Sequence, residues 1–484
     1  MTELHFRSAT ELAAALRRRE VSSRELLELY LGRIEKHNPA LNAVVTLDAE
    51  RARARAAAAD QALARGESWG PLHGLPITIK DSYETEGVLT TCGAPELAKH
   101  VPARDADAVK RLRDAGAVIF GKTNLPLMAS DLQSYNEVFG STNNPWDTAR
   151  TPGGSSGGAA AALAAGLCGL ELGSDIGGSI RTPCHWNGLF GHKATHGIVP
   201  MRGHIPGPPG MLSEMDLGVG GPMARSAEDL DLALSVLAGP DEARARAWSF
   251  ALPAPRHTDL RSYRVAAWID DRDFPLDREV EAPLREAVAA LRKAGARVDE
   301  AARPFEDARG AFELYEYLLW GAMIAGFPDA VFQGMVAHRA ANPDDASAFG
   351  RTARAGAQYH REWASAHERA AQLGARFAEF FRSYDVLLLP VNPVPAIPHD
   401  HSGDLFTRQI QINGGPADYL DMLKWISPAT LCYLPASTAP VGRTRGGLPV
   451  GIQIVGPYLE DRTSIDFARR IGEVMGGFTP PPGF

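Results

Sequence analysis

Two serine-bearing loops carry residue types that could perform nucleophilic chemistry. The first is "GGSSGG" at residues 153–158, where Ser155 and Ser156 stand between glycine pairs, and the second is "IGGS", which ends at Ser179. A serine hydroxyl becomes an effective nucleophile when a nearby base takes its proton. The two loops therefore predict an acyl-transfer site, provided that a base lies close to them.

The glycines before Ser179 favour a further part of such a site. Gly177 and Gly178 have no Cβ, so successive backbone N–H groups can point into one concavity. N–H donors beside a serine hydroxyl are typical of an oxyanion hole. The same pattern is also typical of a tight turn next to a buried serine, and the segment by itself leaves both interpretations open.

The residues between the two loops indicate how the loops meet. The alanine-rich stretch after Ser156 favours a helix to about Gly166, and "CGLELGSD" favours a returning strand. A helix of about 11 residues rises roughly 16 Å, which a short strand can span in return. Loop, helix and strand together bring Ser155 or Ser156 close to Ser179.

Three other interpretations of "GGSSGG" fit less well. A flexible linker would be longer and would not enter a strong helix former. A phosphate-binding loop would need a lysine followed by Ser or Thr, or a GxGxxG turn after a strand. Residues 154–158 match GxSxG with Ser156 as nucleophile, but that elbow follows a strand, and "NNPWDTARTP" is not typical of one.

Lys80 is the candidate base. It ends "LPITIK", a predicted apolar strand that would carry the amine into a dry interior. Burial lowers the pKa of a lysine, and a neutral lysine can accept a proton. A salt-bridged structural lysine is the alternative. His185, His192 and His196 follow Ser179 closely but form no recognisable triad pattern, so we expect core or surface positions for them.

Composition restricts the class of protein. The 484 residues are 45% hydrophobic and 22% charged with a formal net charge of -8, which predicts a folded globular chain and argues against a broad nucleic-acid surface. Neither a signal peptide nor a run of about 18 apolar residues is present, so we expect a cytoplasmic protein without a membrane partner. The four cysteines show no CxxC spacing and are expected to be reduced thiols.

The pattern of elements predicts an α/β protein. "SATE" and "SSRE" near the N-terminus fit capping boxes ahead of amphipathic helices. After Gly70, short apolar segments alternate with glycine-bearing turns and helical stretches, as in a sheet packed between helices. The aromatic segment "YEYLLWGAMIAGF" is either core or the lining of a substrate pocket.

These elements suggest a division of the chain into three parts. We expect residues 1–65 to be a helical segment packed on the core and residues 66–240 to be the catalytic core. Residues 241–484 would complete the same large domain, with a helical insert at about 305–382 that contributes to a substrate pocket.

Together these segments resemble the amidase signature family, whose hallmark appears here as "GGSSGGAAAALAAGLCGLELGSDIGGSIRTP". Lys80, in "GLPITIKD", precedes Ser155 by 75 residues, and Ser155 precedes Ser179 by 24, as in that family. "AVIFGKTN", "FGSTNNPWD", "GGPMARSAED" and "GLPVGIQIVGP" also match, and only residues 245–430 match loosely. The resemblance implies an α/β fold with a central mixed sheet covered by helices on both faces.

The resemblance also implies roles for particular residues. Ser179 would be the nucleophile, Ser155 a proton relay that follows a cis peptide bond from Gly154, and Lys80 the base. The N–H groups of the oxyanion hole would be those of Ile176, Gly177, Gly178 and Ser179. The acyl side of the substrate would contact Met128, Ala129 and Ser130. Asp175 and Arg181 would pair to brace the nucleophile turn, and neither a metal nor a cofactor is implied.

The departures from the family pattern bear on the substrate. The segment "NLPLMASDLQS" is more apolar than in glutamine-using members, and "GHIPGPPGMLSEMDLGVGGP" lacks the pattern typical of the amidotransferase A-type subunit. We therefore expect a stand-alone hydrolase that forms an acyl-enzyme with small aryl or alkyl amides and extends to anilides, esters or carbamates, as a urethanase does. The alternatives are an amidotransferase A-type subunit and a catalytically idle binding subunit, and a homodimer stays open.

Overall fold

A computed structural model describes residues 3–206 and 209–484 of the chain. Residues 207 and 208, in the segment "GHIPGPPGMLSEMDLGVGGP", lie outside the described residues. The strands are β1 (Val44–Leu47), β2 (Pro76–Lys80), β3 (Val118–Thr123), β4 (Tyr135–Asn136), β5 (Gly140–Ser141), β6 (Glu171–Asp175), β7 (Phe190–Lys193), β8 (Val219–Ala224), β9 (Arg264–Ala267), β10 (Arg297–Asp299), β11 (Val386–Pro390), β12 (Gln409–Ile412), β13 (Gly415–Asp418), β14 (Ala436–Arg443) and β15 (Pro449–Val455).

The strands alternate along the chain with α-helices. They are α1 (Ala9–Arg17), α2 (Ser23–Leu41), α3 (Ala49–Ala64), α4 (Asp107–Asp114), α5 (Gly157–Ala164), α6 (Arg181–Asn187), α7 (Ala227–Leu237), α8 (Arg278–Lys293), α9 (Ala308–Met323), α10 (Asp329–Ala341), α11 (Ala348–Gly356), α12 (His360–Ser383), α13 (Ser427–Leu431) and α14 (Asp461–Met475). Ser8 and Ser22 form the expected capping boxes at α1 and α2.

An 11-stranded mixed sheet organises the molecule, in the order β1-β3-β2-β6-β8-β7-β14-β15-β11-β9-β10. β2 runs parallel to both of its neighbours, β3 and β6, whereas β6 and β8 are antiparallel. The predicted fold class, a mixed sheet covered by helices, is confirmed.

Helices cover both faces of this sheet. Every residue of β2, β6, β11 and β15 is buried, as expected for strands without a solvent face. Leu388 belongs to one hydrophobic cluster, whereas its neighbours Leu387 and Leu389 belong to another. Because successive strand side chains point to opposite faces, the sheet separates two apolar layers.

The N-terminal segment differs from the expectation in one respect. Besides α1, α2 and α3 it contains β1, which pairs antiparallel with β3 and forms an edge of the main sheet. Its sequence, "VVTL", is a short β-branched run of the kind that favours a strand. The division of the chain into three parts stays a prediction, but residues 44–47 belong to the central sheet.

The described residues form neither a membrane-spanning helix nor a metal-binding cluster. Within residues 3–206 and 209–484, no helix has the length and apolar character needed to cross a membrane. In the same ranges, no group of three or more His, Cys, Asp or Glu side chains is placed to hold a metal ion. The four cysteines are free and buried.

Candidate active site

The site begins at the carboxyl ends of two parallel strands. Lys80 is the last residue of β2, and the register of β2 with β6 brings it close to Ser174. The Lys80 amine donates hydrogen bonds to Ser155 Oγ at 2.6 Å and to Ser174 Oγ at 2.9 Å. Lys80 is therefore bound to hydroxyl groups, which accept from it without bringing a counter-charge.

Burial controls the charge of this lysine. Lys80 is fully buried, and loss of hydration lowers the pKa of its amine to about 7. The nearby acidic groups Asp175 and Glu171 oppose this effect but are outweighed. The neutral amine is consequently well populated close to neutral pH.

A close backbone approach defines the loop that carries Ser155. The peptide bond between Gly154 and Ser155 is cis, as the resemblance implied. A Cβ at Gly154 would lie 2.5 Å from the carbonyl oxygen of Asp131, so only glycine fits there. α5 starts at Gly157, and the loop before it contains no strand between residues 142 and 156. The elbow that GxSxG would require is therefore not formed.

Ser179 lies against this loop. The N–H of Ser156 donates to the carbonyl oxygen of Ser179 at 3.1 Å, which joins the two serine loops as their spacing predicted. The hydrogen bonds of the described residues do not include one between the hydroxyls of Ser155 and Ser179. The structure thus places the two loops side by side, with the Lys80–Ser155 hydrogen bond formed.

A buried ion pair closes the turn that carries Ser179. Arg181 donates to Asp175 at 2.7 Å, and both side chains are fully buried. Burial alone would raise the pKa of Asp175, but the guanidinium of Arg181, together with Lys193 and the N–H of Ile180, more than offsets this and lowers the pKa to about 2. The carboxylate also accepts from the N–H groups of Gly178 and Ile180, each at 3.0 Å.

This pairing changes the set of available oxyanion donors. Gly178 was expected to contribute its N–H, but that group already donates to Asp175. The N–H groups of Ile176, Gly177 and Ser179 have no acceptor among the described residues. The free donors beside Ser179 are therefore three in place of the expected four.

A slot with apolar walls opens at Ser179. It is bounded by Ile176 and Gly177 and by apolar side chains from α9 and from residues 405–423. Those side chains, with Leu132, are Leu319, Trp320, Met323, Leu405, Leu420 and Leu423. A larger cavity of ≈ 940 Å³, here called the outer cavity, adjoins the slot and shares Ser130, Asp131, Met323 and Leu405 with it. The aromatic segment of α9 thus lines a pocket as well as packing in the core.

The three residues expected on the acyl side are divided between these spaces. Ala129 and Ser130 line the slot, whereas Met128 and Ser130 line the outer cavity. Met128 and Ala129 have left-handed backbone conformations, with φ of 49° and 55°. Of the three, only Met128 does not contact the slot beside Ser179.

The three histidines after Ser179 lie away from both spaces. The His185 ring accepts from the N–H of Gly451 at 2.7 Å, and His192 lies between Ser437 and Asp461. Both rings are fully buried, and His196 packs on a tyrosine ring. His185 and His192 thus occupy core positions and His196 is partly buried, within the core or surface positions expected for the three.

Sequence reasoning missed two polar groups of the site. Ser174, the second partner of Lys80, lies near the carboxyl end of β6, which is the parallel neighbour of β2. Because the carboxyl ends of parallel neighbours lie side by side, a polar residue at the end of β6 could have been expected beside Lys80. Asp131 lines the slot and forms a buried ion pair with Arg408 at 2.6 Å. Because 277 residues separate these two partners, no local pattern could indicate the pair.

The chain is similar to known proteins over nearly its whole length. The sequence profile of the amidase family matches residues 25–465, and the chain belongs to that family. The A-type subunit of the glutamyl-tRNA(Gln) amidotransferase of Synechococcus sp. is 35% identical over 96% of this chain and 95% of its own length. Its counterpart in Acidothermus cellulolyticus is 35% identical over 98% and 95%. A crystal structure of an amidase superposes with a TM-score of 0.78 at 30% identity, covering 97% of this chain and 100% of that one.

Proposed function

We propose that this protein hydrolyses the C–N bond of carboxylic amides through an acyl-enzyme on Ser179. The observation that carries the proposal is the fully buried Lys80, whose amine has a pKa of about 7 and is hydrogen-bonded to Ser155 at 2.6 Å. A base of this pKa is suited to proton transfer at neutral pH. Membership of the amidase family supports the same reaction.

In the proposed mechanism, protons pass along the serine loops. Neutral Lys80 takes the proton of Ser155, which takes the proton of Ser179 as its oxygen attacks the carbonyl carbon. The N–H groups of Ile176, Gly177 and Ser179 stabilise the oxyanion. The proton returns through Ser155 to the leaving amine, and water then releases the acid from Ser179.

The walls of the slot support an apolar acyl group. Among the described residues that line it, Asp131 is the one charged side chain, and it is already paired with Arg408. The α-ammonium and α-carboxylate of glutamine would lose hydration there without an unpaired partner. We therefore favour aryl or alkyl amides, with anilides, esters and carbamates as related substrates.

An amidotransferase A-type subunit is the second candidate. The curated relatives named above are such subunits and match this chain at 35% identity over nearly its whole length. This observation supports the second candidate better than it supports a stand-alone hydrolase. An idle binding subunit is the weakest alternative, because Lys80, Ser155 and Ser179 are all present.

The test is a panel of amides, anilides, esters and carbamates given to the purified protein. We expect hydrolysis of at least one apolar amide, and a fall of about 1,000-fold or more in kcat for Ser179→Ala, because the nucleophile is removed. Ser156→Ala is the matched control and should keep most activity, since its hydroxyl makes only a 3.4 Å contact with the carbonyl of Ser174. Absence of turnover, or an equal loss in both variants, would contradict the proposal.

A further inference from the structure

A tyrosine outside the mechanism contacts the backbone of the oxyanion segment. Tyr315 lies on α9, and its hydroxyl donates to the carbonyl oxygen of Ile176 at 2.9 Å. Its side chain is fully buried, and burial raises the pKa of the phenol, so the hydroxyl stays protonated and able to donate. Tyr315 does not line the slot, whereas Ile176 and Gly177 do.

The contact fixes the orientation of one peptide group. In a trans peptide the carbonyl of Ile176 and the N–H of Gly177 lie in one plane and point in opposite directions. A donor that holds the carbonyl toward α9 therefore directs the N–H of Gly177 away from Tyr315. That N–H has no acceptor among the described residues, and Gly177 borders the slot beside Ser179.

This peptide has little other support. β6 ends at Asp175, so the sheet ladder does not hold Ile176. The two residues that follow are glycines, and Gly178 has φ of 85°, so the backbone here has access to conformations closed to other residues. Within the described part of the chain, Tyr315 is the one donor to the carbonyl of Ile176.

We propose that Tyr315 is a positioning residue for the oxyanion hole, holding the peptide between Ile176 and Gly177 with its N–H directed into the slot. The inference rests on the acyl-enzyme reaction proposed above. The same face of α9 also contributes to the slot. Leu319 and Met323 follow Tyr315 at four-residue spacing on this helix, and both line the slot. One helix face thus sets both the slot wall and the oxyanion donor.

Tyr315→Phe tests the proposal, because it removes only the hydroxyl. We expect kcat for an apolar amide to fall about 10-fold or more, with KM changed less than about twofold, since the donor acts on the transition state. The affinity for an alkylboronic acid, whose adduct with serine is tetrahedral, should fall by a similar factor. The affinity for the n-alkyl alcohol of the same chain length, which fills the slot without an oxyanion, should stay the same.

Tyr263→Phe is the matched control, since that buried hydroxyl donates to Asp466 at 2.8 Å and neither residue lines the slot. Unchanged kcat and boronate affinity in Tyr315→Phe would overturn the inference. Equal weakening of boronate and alcohol, with a lower Tm, would also overturn it and assign Tyr315 a purely structural role. A wild-type protein that neither hydrolyses the panel nor binds the boronate would instead overturn the proposed function, and the inference with it.

Discussion

At the scale of single residues, two buried lysines on neighbouring strands differ in their partners. Lys122 of β3 lies 3.5 Å from the carboxylate of Asp81, and both side chains are fully buried. Lys80 of β2 contacts the hydroxyls of Ser155 and Ser174. Burial lowers the pKa of both amines, but Asp81 opposes the effect at Lys122. Lys80 is therefore the better candidate base.

The charge of Lys80 predicts the pH dependence of the reaction. Because only the neutral amine can accept a proton, kcat/KM should rise with pH through a midpoint close to the pKa of about 7 and then level off. The measurement is kcat/KM for one apolar amide from about pH 5.5 to about pH 9. Lys80→Ala should lose both the rise and most of the activity. A flat wild-type profile would contradict the assignment of Lys80 as base.

At the scale of elements, the turn between β6 and α6 depends on one carboxylate. Asp175 ends β6, accepts from the N–H groups of Gly178 and Ile180, and pairs with Arg181 at the start of α6. The strand end, the turn and the helix start are thus held by the same side chain. The position of Ser179 follows from this arrangement.

Removing this charge should destabilise the fold. Asp175→Asn leaves the fully buried guanidinium of Arg181 without a counter-charge, and we expect the free energy of unfolding to fall by about 3–5 kcal/mol. The measurement is urea unfolding at pH 7. In the wild type, the contribution of Asp175 should be complete above its unfolded pKa of about 3.9 and be lost as pH falls through its folded pKa of about 2.

An exposed ion pair provides the control for that experiment. Asp259 and Arg261 are paired at 2.7 Å, but their side chains are 45% and 74% exposed. Asp259→Asn should therefore leave the midpoint of urea unfolding almost unchanged, because solvent screens an exposed pair. Similar losses in the two variants would contradict a structural role specific to Asp175.

At the scale of the whole molecule, the sheet brings distant segments to one place. β2 and β6 are neighbours in the sheet, so Lys80 contacts Ser174 of β6 and Ser155 in the loop that precedes α5. α9 and residues 405–423 then close the slot over Ser179. The site therefore depends on parts of the chain that span more than 300 residues, from Lys80 to Leu423.

The two candidate functions predict different behaviour of the isolated chain. We expect the purified protein to hydrolyse an apolar amide without a partner, with kcat/KM for glutamine at least about 100-fold lower, because the slot offers no unpaired charge. Ammonia release and light scattering on the same sample measure activity and assembly together. A preference for glutamine, or activity that appears only with partner subunits, would favour the amidotransferase interpretation.

Much of the local structure could be predicted because its causes are local. The capping boxes of α1 and α2, the helix after Ser156 and the strand ending at Asp175 all follow from spacing and turn chemistry. The short strand β1 was missed, because four β-branched and apolar residues between two helices carry a weak signal. Membership of the amidase family could also be predicted from the sequence, because the motif residues occur at the spacing typical of that family.

The sequence by itself determined the fold class, the positions of the candidate catalytic residues and the proximity of the two serine loops, since each depends on residue type and short-range order. Only the tertiary structure decided which groups of the site are already engaged. Asp175 occupies the N–H of Gly178, Arg408 neutralises Asp131, and Tyr315 holds the carbonyl of Ile176. The last two contacts join residues 277 and 139 positions apart, so they exist only once the sheet and its helices have packed.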